Sequence, residues 1–244
     1  MRNYLMIRLL CVALLATALR TASAQTVDEV IDKHIAAMGG ASKLASLKSM
    51  KMEAAAQVMG MEFPSSTTVV QGRGLRSETT VQGMTIVNAL DGDKGWMINP
   101  MAGQNTAVAL PEEQVKLSAG QLDLTGLYNY KQKGHTAQLA GEDKVNGAPV
   151  YVVKVKLNNG METTHYISKE TNYILKTATN VQAEGQNMVV NTSFSNFKQV
   201  DGLTLPFTTE IESAAMPGGA MTMTIKSVQV NPTVDESIFA MPKN

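Results

Sequence analysis

The order of polar and apolar residues changes its period near residue 49. Before that point the pattern predicts one amphipathic helix, because apolar positions recur every three or four residues. Thr26 followed by Glu29 has the spacing of a capping box, and Gly39-Gly40 is a typical helix end. A second short helix is predicted over residues 41–47. The positions of the first helix with helical spacing are Val30, Ile31, His34, Ile35 and Met38.

From Ser49 onward the period is two, which is typical of strands that bury one face. Short alternating runs are separated by turn residues such as Asp91-Gly92, Asn159-Gly160 and Asp201-Gly202. About ten strands are predicted in an antiparallel, meandering sheet. The predicted runs cover residues 49–63, 67–72, 74–83, 84–90, 96–99, 148–160, 161–181, 187–202, 203–213 and 221–231.

Helical patterns interrupt the strands once, over residues 111–120 and 122–130. Pro111 followed by Glu112 and Glu113 suits a helix start. A twisted open sheet of about ten strands curls and leaves a concave face that needs a cover. The predicted fold is therefore mainly β: a curled, unclosed antiparallel β-barrel with an N-terminal helix and a short helical lid.

Trp96, the only tryptophan, lies in a predicted strand that is apolar on both faces. Successive residues of a strand point to opposite faces. We therefore expect Trp96 and Met97 to face two apolar environments, one of them a lidded cavity and the other a packed helix.

The first 24 residues are predicted to be a secretory signal peptide that is cleaved after Ala24. A basic start precedes a short apolar run, and Cys11 lies inside that run. The chain has 21 basic and 21 acidic residues, and the predicted leader removes three arginines and no acid, so the mature net charge is about −3. This balance gives no reason to expect nucleic acid as a partner. Residues 25–244 are predicted to form one domain without a transmembrane segment.

Motifs for catalysis or metal binding are absent from the sequence. The three histidines are not spaced as metal ligands, and there is no G-x-S-x-G serine motif. We therefore expect no enzyme activity, no metal and no cofactor. Three Met-x-Met steps leave an exported, methionine-based copper carrier as an alternative, because thioethers are soft ligands that select Cu(I). Those steps begin at Met50, Met59 and Met221.

Several segments, in order, resemble a known family. They are "AAMGG" after the first helix, "DGDKGWMINP" around Trp96, "FSNFKQVDGLTLPF", and the closing "VQVNPTVDESIFAMP". This order is similar to that of the LolA-like periplasmic proteins that sort outer-membrane lipoproteins, which share a LolA/LolB/LppX-like fold. The resemblance implies an unclosed barrel with a helical lid and an apolar cavity that binds lipid or lipoprotein acyl chains. It also implies donor and acceptor proteins in the envelope, and an arginine on an early strand that ties the lid shut, with Arg73 and Arg76 as candidates.

The predicted function is that of a non-catalytic carrier in the periplasm of a double-membraned bacterium. Methionine suits a cavity that accepts chains of different shape, because its side chain is flexible and polarizable. An accessory or substrate-binding domain of an envelope hydrolase is the second alternative. The residues predicted to line the cavity are Met50, Met52, Trp96, Ile98, Leu124, Leu127 and Tyr128.

Overall fold

The computed structural model of the chain describes residues 25–183, 186–214 and 219–243, so the predicted signal peptide lies outside the described residues. Helix α1 spans Val27–Ala37 and begins with the predicted capping box: the Glu29 amide donates to Thr26 Oγ1 (3.2 Å), and the Thr26 amide donates to the Glu29 carboxylate (2.9 Å). Helix α2 spans Ala41–Ala45, and helix α3 spans Glu112–Ser118. A 3-10 turn over Ala119–Leu122 follows α3.

Thirteen strands among the described residues form a single antiparallel sheet. The spatial order is β6-β5-β4-β3-β2-β1-β13-β12-β11-β10-β9-β8-β7, so β6 and β7 are free edges and the sheet is not closed into a barrel. The bounds are β1 Ser49–Val58, β2 Met61–Val70, β3 Gly74–Val81, β4 Met84–Asp91, β5 Lys94–Asn99, β6 Gln104–Ala109, β7 Thr136–Val145, β8 Ala148–Lys156, β9 Glu162–Ser168, β10 Ile174–Ala183, β11 Gln186–Val200, β12 Leu203–Glu212 and β13 Ala220–Val230.

The predicted count of about ten strands was too low, mainly because the pattern did not reveal the two edge strands. Both β6 and β7 are largely exposed, so neither carries the apolar alternation of a strand with one buried face. Each also contributes to a ladder with a register shift, between Met97 and Asn99 opposite β6 and between Leu139 and Gly141 within β7.

The predicted helix over residues 122–130 was wrong. This segment consists of consecutive hydrogen-bonded turns. The Asp123 carboxylate accepts hydrogen bonds from the amide and the hydroxyl of Thr125, which favours a turn over a helix. Gly126 and Asn129 then adopt positive φ angles of 55° and 54°, which end any helical course.

The strand registers define two faces of the sheet. Directly paired residues share a face, and Met50, Val69, Leu75, Leu90 and Gly95 form one continuous row across β1 to β5. We call this side the helix face, because a side chain at Gly95 would lie 3.1 Å from Val115 of α3. The opposite side is the back face. Its corresponding row is Lys51, Thr68, Arg76, Ala89 and Trp96.

Three apolar clusters lie between the helices and the sheet. Val30 and Ile31 of α1 pack on Val153 and Ile167 of β8 and β9. Leu44 of α2 packs with Met50 and Leu203, and Val115 of α3 packs with Leu75 and Leu90. Burial of these side chains stabilises the fold, and it leaves the part of the helix face beyond the clusters with less cover.

Candidate functional site

A broad, mainly apolar surface remains on the helix face where the central strands run beyond the packed clusters. We call this surface the trough. Its first row crosses seven strands in continuous register, and its second row lies beside the first. The first row is His165, Thr177, Thr192, Ile211, Met221, Val58 and Met61. The second row is Phe194, Thr209, Met223, Ala56 and Phe63.

Most of the large side chains of the trough are only partly buried. Val58, Phe63, Ile211 and Met223 keep an intermediate exposure, and Met61 is 53% exposed. The packed end of the same face differs, since the Met50 side chain is 5% exposed. Contiguous, partly exposed apolar side chains mark a surface that is available to an apolar ligand.

A cleft of about 570 Å³ lies at one side of the trough, between α3 and the ends of β9, β10 and β11. Cavities of this size are typical of small-molecule sites. Leu117, Met161 and Val181 are its apolar walls, and Lys116 and Asn187 are among the polar residues that line it. Val115 of α3 packs on Leu90 of β4, and Leu117 of α3 lines the cleft beside β9 to β11. Helix α3 therefore contacts both sides of the open sheet.

Five of the seven predicted lining residues lie in the helix-packed clusters. Met50 belongs to the α2 cluster, and Met52, Leu124 and Tyr128 pack against that cluster. Leu127 lies in the α1 cluster and is 4% exposed. These five side chains pack at the closed end of the helix face, and the open trough lies beyond them.

Trp96 and Ile98 lie on the back face, opposite Met50 and Met52, so the seven predicted residues do not form one lining. Trp96 is 2% exposed, and its indole N–H donates to the carbonyl oxygen of Phe239 at 2.7 Å. The cover over Trp96 is therefore the C-terminal 3-10 helix at Glu236–Phe239. Two apolar environments do flank β5 as expected, but the helix lies on the Met97 side and the C-terminal segment on the Trp96 side.

Arg73 and Arg76, the predicted lid ties, both contact the C-terminal segment. Arg73 forms ion pairs with Asp91 and with Glu236. Arg76 donates to the Ile238 carbonyl at 3.2 Å, and its guanidinium lies 5.3 Å from the centre of the Trp96 ring. Among the described residues, the polar partners of both arginines belong to β3, β4 and this segment. The arginines therefore hold the C-terminal segment against the back face, and that one of them ties the lid stays a prediction.

Sequence reasoning missed most of the trough because its residues belong to strands far apart in the chain. The Met221-x-Met223 step was visible, since two methionines two residues apart share a strand face. Their neighbours Ile211 and Val58 come from β12 and β1, and only the strand register brings them together.

Two further features of the described residues bear on chemistry. No group of three His, Cys, Asp or Glu residues in residues 25–183, 186–214 and 219–243 is arranged to hold a metal ion. Within the same part of the chain, no helix has the length and apolar character needed to cross a membrane.

Comparison with solved structures identifies the fold. A LolA superfamily protein from Nitrosomonas europaea aligns over 89% of this chain and 98% of its own, with 12% identity and a TM-score of 0.60. A Vibrio parahaemolyticus domain, provisionally named an outer membrane lipoprotein-sorting protein domain, aligns over 86% and 94%, with 13% identity and a TM-score of 0.54. A DUF1329 family protein from Desulfovibrio piger aligns over 89% and 98%, with 13% identity and a TM-score of 0.56.

Sequence comparison alone supports a narrower conclusion than the comparison of structures. No curated protein matches the chain at a significant level. Residues 75–243 match the model of a family whose description is "Uncharacterized protein". That match covers more than half of the chain, and the likeness to the three solved structures extends over most of it. The chain belongs to the family whose model matches residues 75–243, and it has a LolA-like fold.

Proposed function

We propose that this protein binds the acyl chains of lipids or lipoproteins in the trough and carries them, without catalysis, through the periplasm of a double-membraned bacterium. The observation that carries the proposal is the apolar part of the first row, where the partly exposed side chains of Ile211, Met221 and Val58 lie side by side. The predicted signal peptide supports export. The fold shared with a LolA superfamily protein and with a domain named for lipoprotein sorting supports the ligand class.

The energetics of the trough suit a carrier. Each buried methylene group contributes about 0.8 kcal/mol, so a long acyl chain offers roughly 10 kcal/mol before the costs of binding are subtracted. Methionine side chains at Met221 and Met223 can adapt to ligands of different shape. Helix α3 would act as the cover, because it contacts both sides of the open sheet and leaves a cleft between itself and the strands.

Two variants at adjacent positions test this proposal. Thr209 lies on the helix face beside Met223, whereas Thr208 pairs with Thr224 on the back face. Both side chains are partly exposed. The variant Thr209→Trp fills the trough with an indole ring, and Thr208→Trp adds the same ring to the other side of the same strand.

The full chain and both variants would be purified from the periplasm of a double-membraned host and analysed by native mass spectrometry. We expect lipid to co-purify with the wild-type protein and with Thr208→Trp, and to be reduced severalfold in Thr209→Trp. Wild-type protein that carries no lipid and takes up none from added vesicles of phosphatidylethanolamine and phosphatidylglycerol would contradict the proposal.

A further inference from the structure

The first row of the trough is divided into a polar half and an apolar half. The polar half is His165, Thr177 and Thr192, on the adjacent strands β9, β10 and β11. The apolar half is Ile211, Met221, Val58 and Met61, on β12, β13, β1 and β2. Neighbouring strands are about 4.8 Å apart, so the polar half spans roughly 10 Å and the apolar half roughly 14 Å.

The polar half has unused hydrogen-bonding capacity. His165 Nδ1 is sealed from solvent and has no hydrogen-bond partner among the described residues, although the residue as a whole is partly exposed. No hydrogen bond within the described part of the chain engages the hydroxyl groups of Thr177 and Thr192. By contrast, the neighbouring Thr163 and Thr179 hydroxyls bond each other at 3.2 Å. Both threonines are half-buried and their hydroxyl groups are not sealed, so they are free to bond a ligand that lies in the trough.

The state of the histidine indicates which kind of group it would bind. Burial, together with the nearby His34, lowers the pKa of His165 to about 4, so the ring is neutral at neutral pH. A neutral imidazole carries one N–H and one bare nitrogen. A sealed N–H without an acceptor is costlier than a sealed lone pair, so we assign the proton to Nε2, the nitrogen that is not sealed and can donate to a ligand.

The charge of the row also limits the ligand. None of its seven residues is Lys, Arg, Asp or Glu, so nothing in the row would neutralise a phosphate or a carboxylate. An imidazole N–H and two hydroxyls match a neutral group that accepts hydrogen bonds, such as an ester or amide carbonyl.

We propose that the ligand is an acyl lipid whose first carbonyl and neutral head group are bound by the polar half, while its hydrocarbon chain lies over the apolar half. This inference rests on the proposed function and narrows it to neutral glycerol esters or N-acyl groups. The polar half sets the orientation of the ligand, and the apolar half supplies most of the affinity.

Removal of the two hydroxyls tests the inference. The double variant Thr177→Val with Thr192→Val keeps the shape of both side chains and their preference for strands. Its matched control is Thr208→Val with Thr224→Val, a directly paired couple on the back face. Two probes would be used: 1-monopalmitoylglycerol, which has an ester and a neutral head group, and N-phenyl-1-naphthylamine, a largely apolar dye whose fluorescence rises on binding.

We expect the trough variant to bind 1-monopalmitoylglycerol about 5- to 30-fold more weakly than wild type, from roughly a fivefold loss for each hydrogen bond removed. Its affinity for the dye, and both affinities of the control, should stay within twofold of wild type. As a second measurement, His165→Gln, which keeps an N–H donor, should retain more affinity for the monoacylglycerol than His165→Leu.

The alternative results are distinguishable. Equal monoacylglycerol affinity in wild type and the trough variant would overturn the inference and leave the proposed function in place. An equal loss for both probes would also overturn it, because the variant would then have changed the shape of the trough. If the wild-type protein binds neither of the two probes, both this inference and the proposed function are contradicted.

Discussion

The contact between Phe239 and Gly74 gives the sharpest test of the fold that supports the trough. Phe239 is fully buried on the back face. A Cβ atom placed on Gly74 would lie only 2.4 Å from Cδ2 and 2.5 Å from Cγ of the Phe239 ring, so the ring lies flat against the glycine backbone. A residue larger than Gly74 would therefore overlap the Phe239 ring. The loss in the free energy of unfolding on changing either residue should depend on which residue occupies the other position.

The magnitudes follow from the burial and from the overlap. Phe239→Ala removes a fully buried ring, which typically lowers the free energy of unfolding by about 3–5 kcal/mol, out of a typical total of about 5–15 kcal/mol. Gly74→Ala overpacks the same site and should cost about 1–3 kcal/mol. In the double variant the new methyl group occupies space that the ring has left. Gly74→Ala should therefore cost almost nothing in that background, with a coupling energy of about 1–3 kcal/mol.

Urea denaturation followed by tryptophan fluorescence and by far-UV circular dichroism would measure all four proteins. Trp96 is the only tryptophan and lies beside Phe239, so its fluorescence reports this region directly. Phe63→Ala is the matched control: Phe63 is partly exposed in the trough, so its loss should cost less than the loss of Phe239. Equal costs for Gly74→Ala in both backgrounds would refute the packing described here.

Three further outcomes are expected. The emission maximum of Trp96 should stay constant when 1-monopalmitoylglycerol binds, because Trp96 lies on the back face; a shift on binding, measured in a fluorescence titration, would place the ligand elsewhere. Lys133→Ala should lower the free energy of unfolding by about 1–3 kcal/mol in urea melts, because the Asp123 carboxylate, half-buried, loses its 2.6 Å partner. The free energy of unfolding should fall as pH drops from about 6.5 to about 4, because burial lowers the pKa of His165 to about 4 and the unfolded chain therefore takes up a proton before the folded protein does. Urea melts across this pH range should show a smaller fall in the variant His165→Gln than in wild type. An equal fall in both proteins would exclude His165 as the cause.

The C-terminal segment explains why Trp96 was assigned to the wrong environment. The alternation of β5 shows that Trp96 and Met97 point to opposite faces. It does not show which face turns toward the helices. The deciding contact is with Phe239, which lies 143 residues further along the chain. No pattern in the residues around β5 therefore reveals it. The contacts of Arg73 and Arg76 with Glu236 and Ile238 could not be predicted for the same reason, since these partners are also far away in sequence.

Local chemistry, by contrast, could be read directly from the sequence. The capping box at Thr26 and the hairpin turn at Asp91-Gly92 depend on residues only a few positions apart, and both are present. The period of two also indicated a mainly β chain with an open antiparallel sheet. Local rules failed at residues 122–130, where Asp123, Gly126 and Asn129 favour turns over the helix that the apolar spacing suggested.

The amino-acid sequence by itself therefore determined the kind of elements, the antiparallel class of the sheet and the resemblance to LolA-like proteins, because hydrophobic period, caps and turns act over a few residues. The tertiary structure alone decided which faces of the strands meet the helices, that Trp96 is covered by the C-terminal segment, and that His165, Thr177 and Ile211 lie in one row. The physical reason is that strand register is set by pairing between segments far apart in the chain, and a strand pattern is the same whichever face is buried.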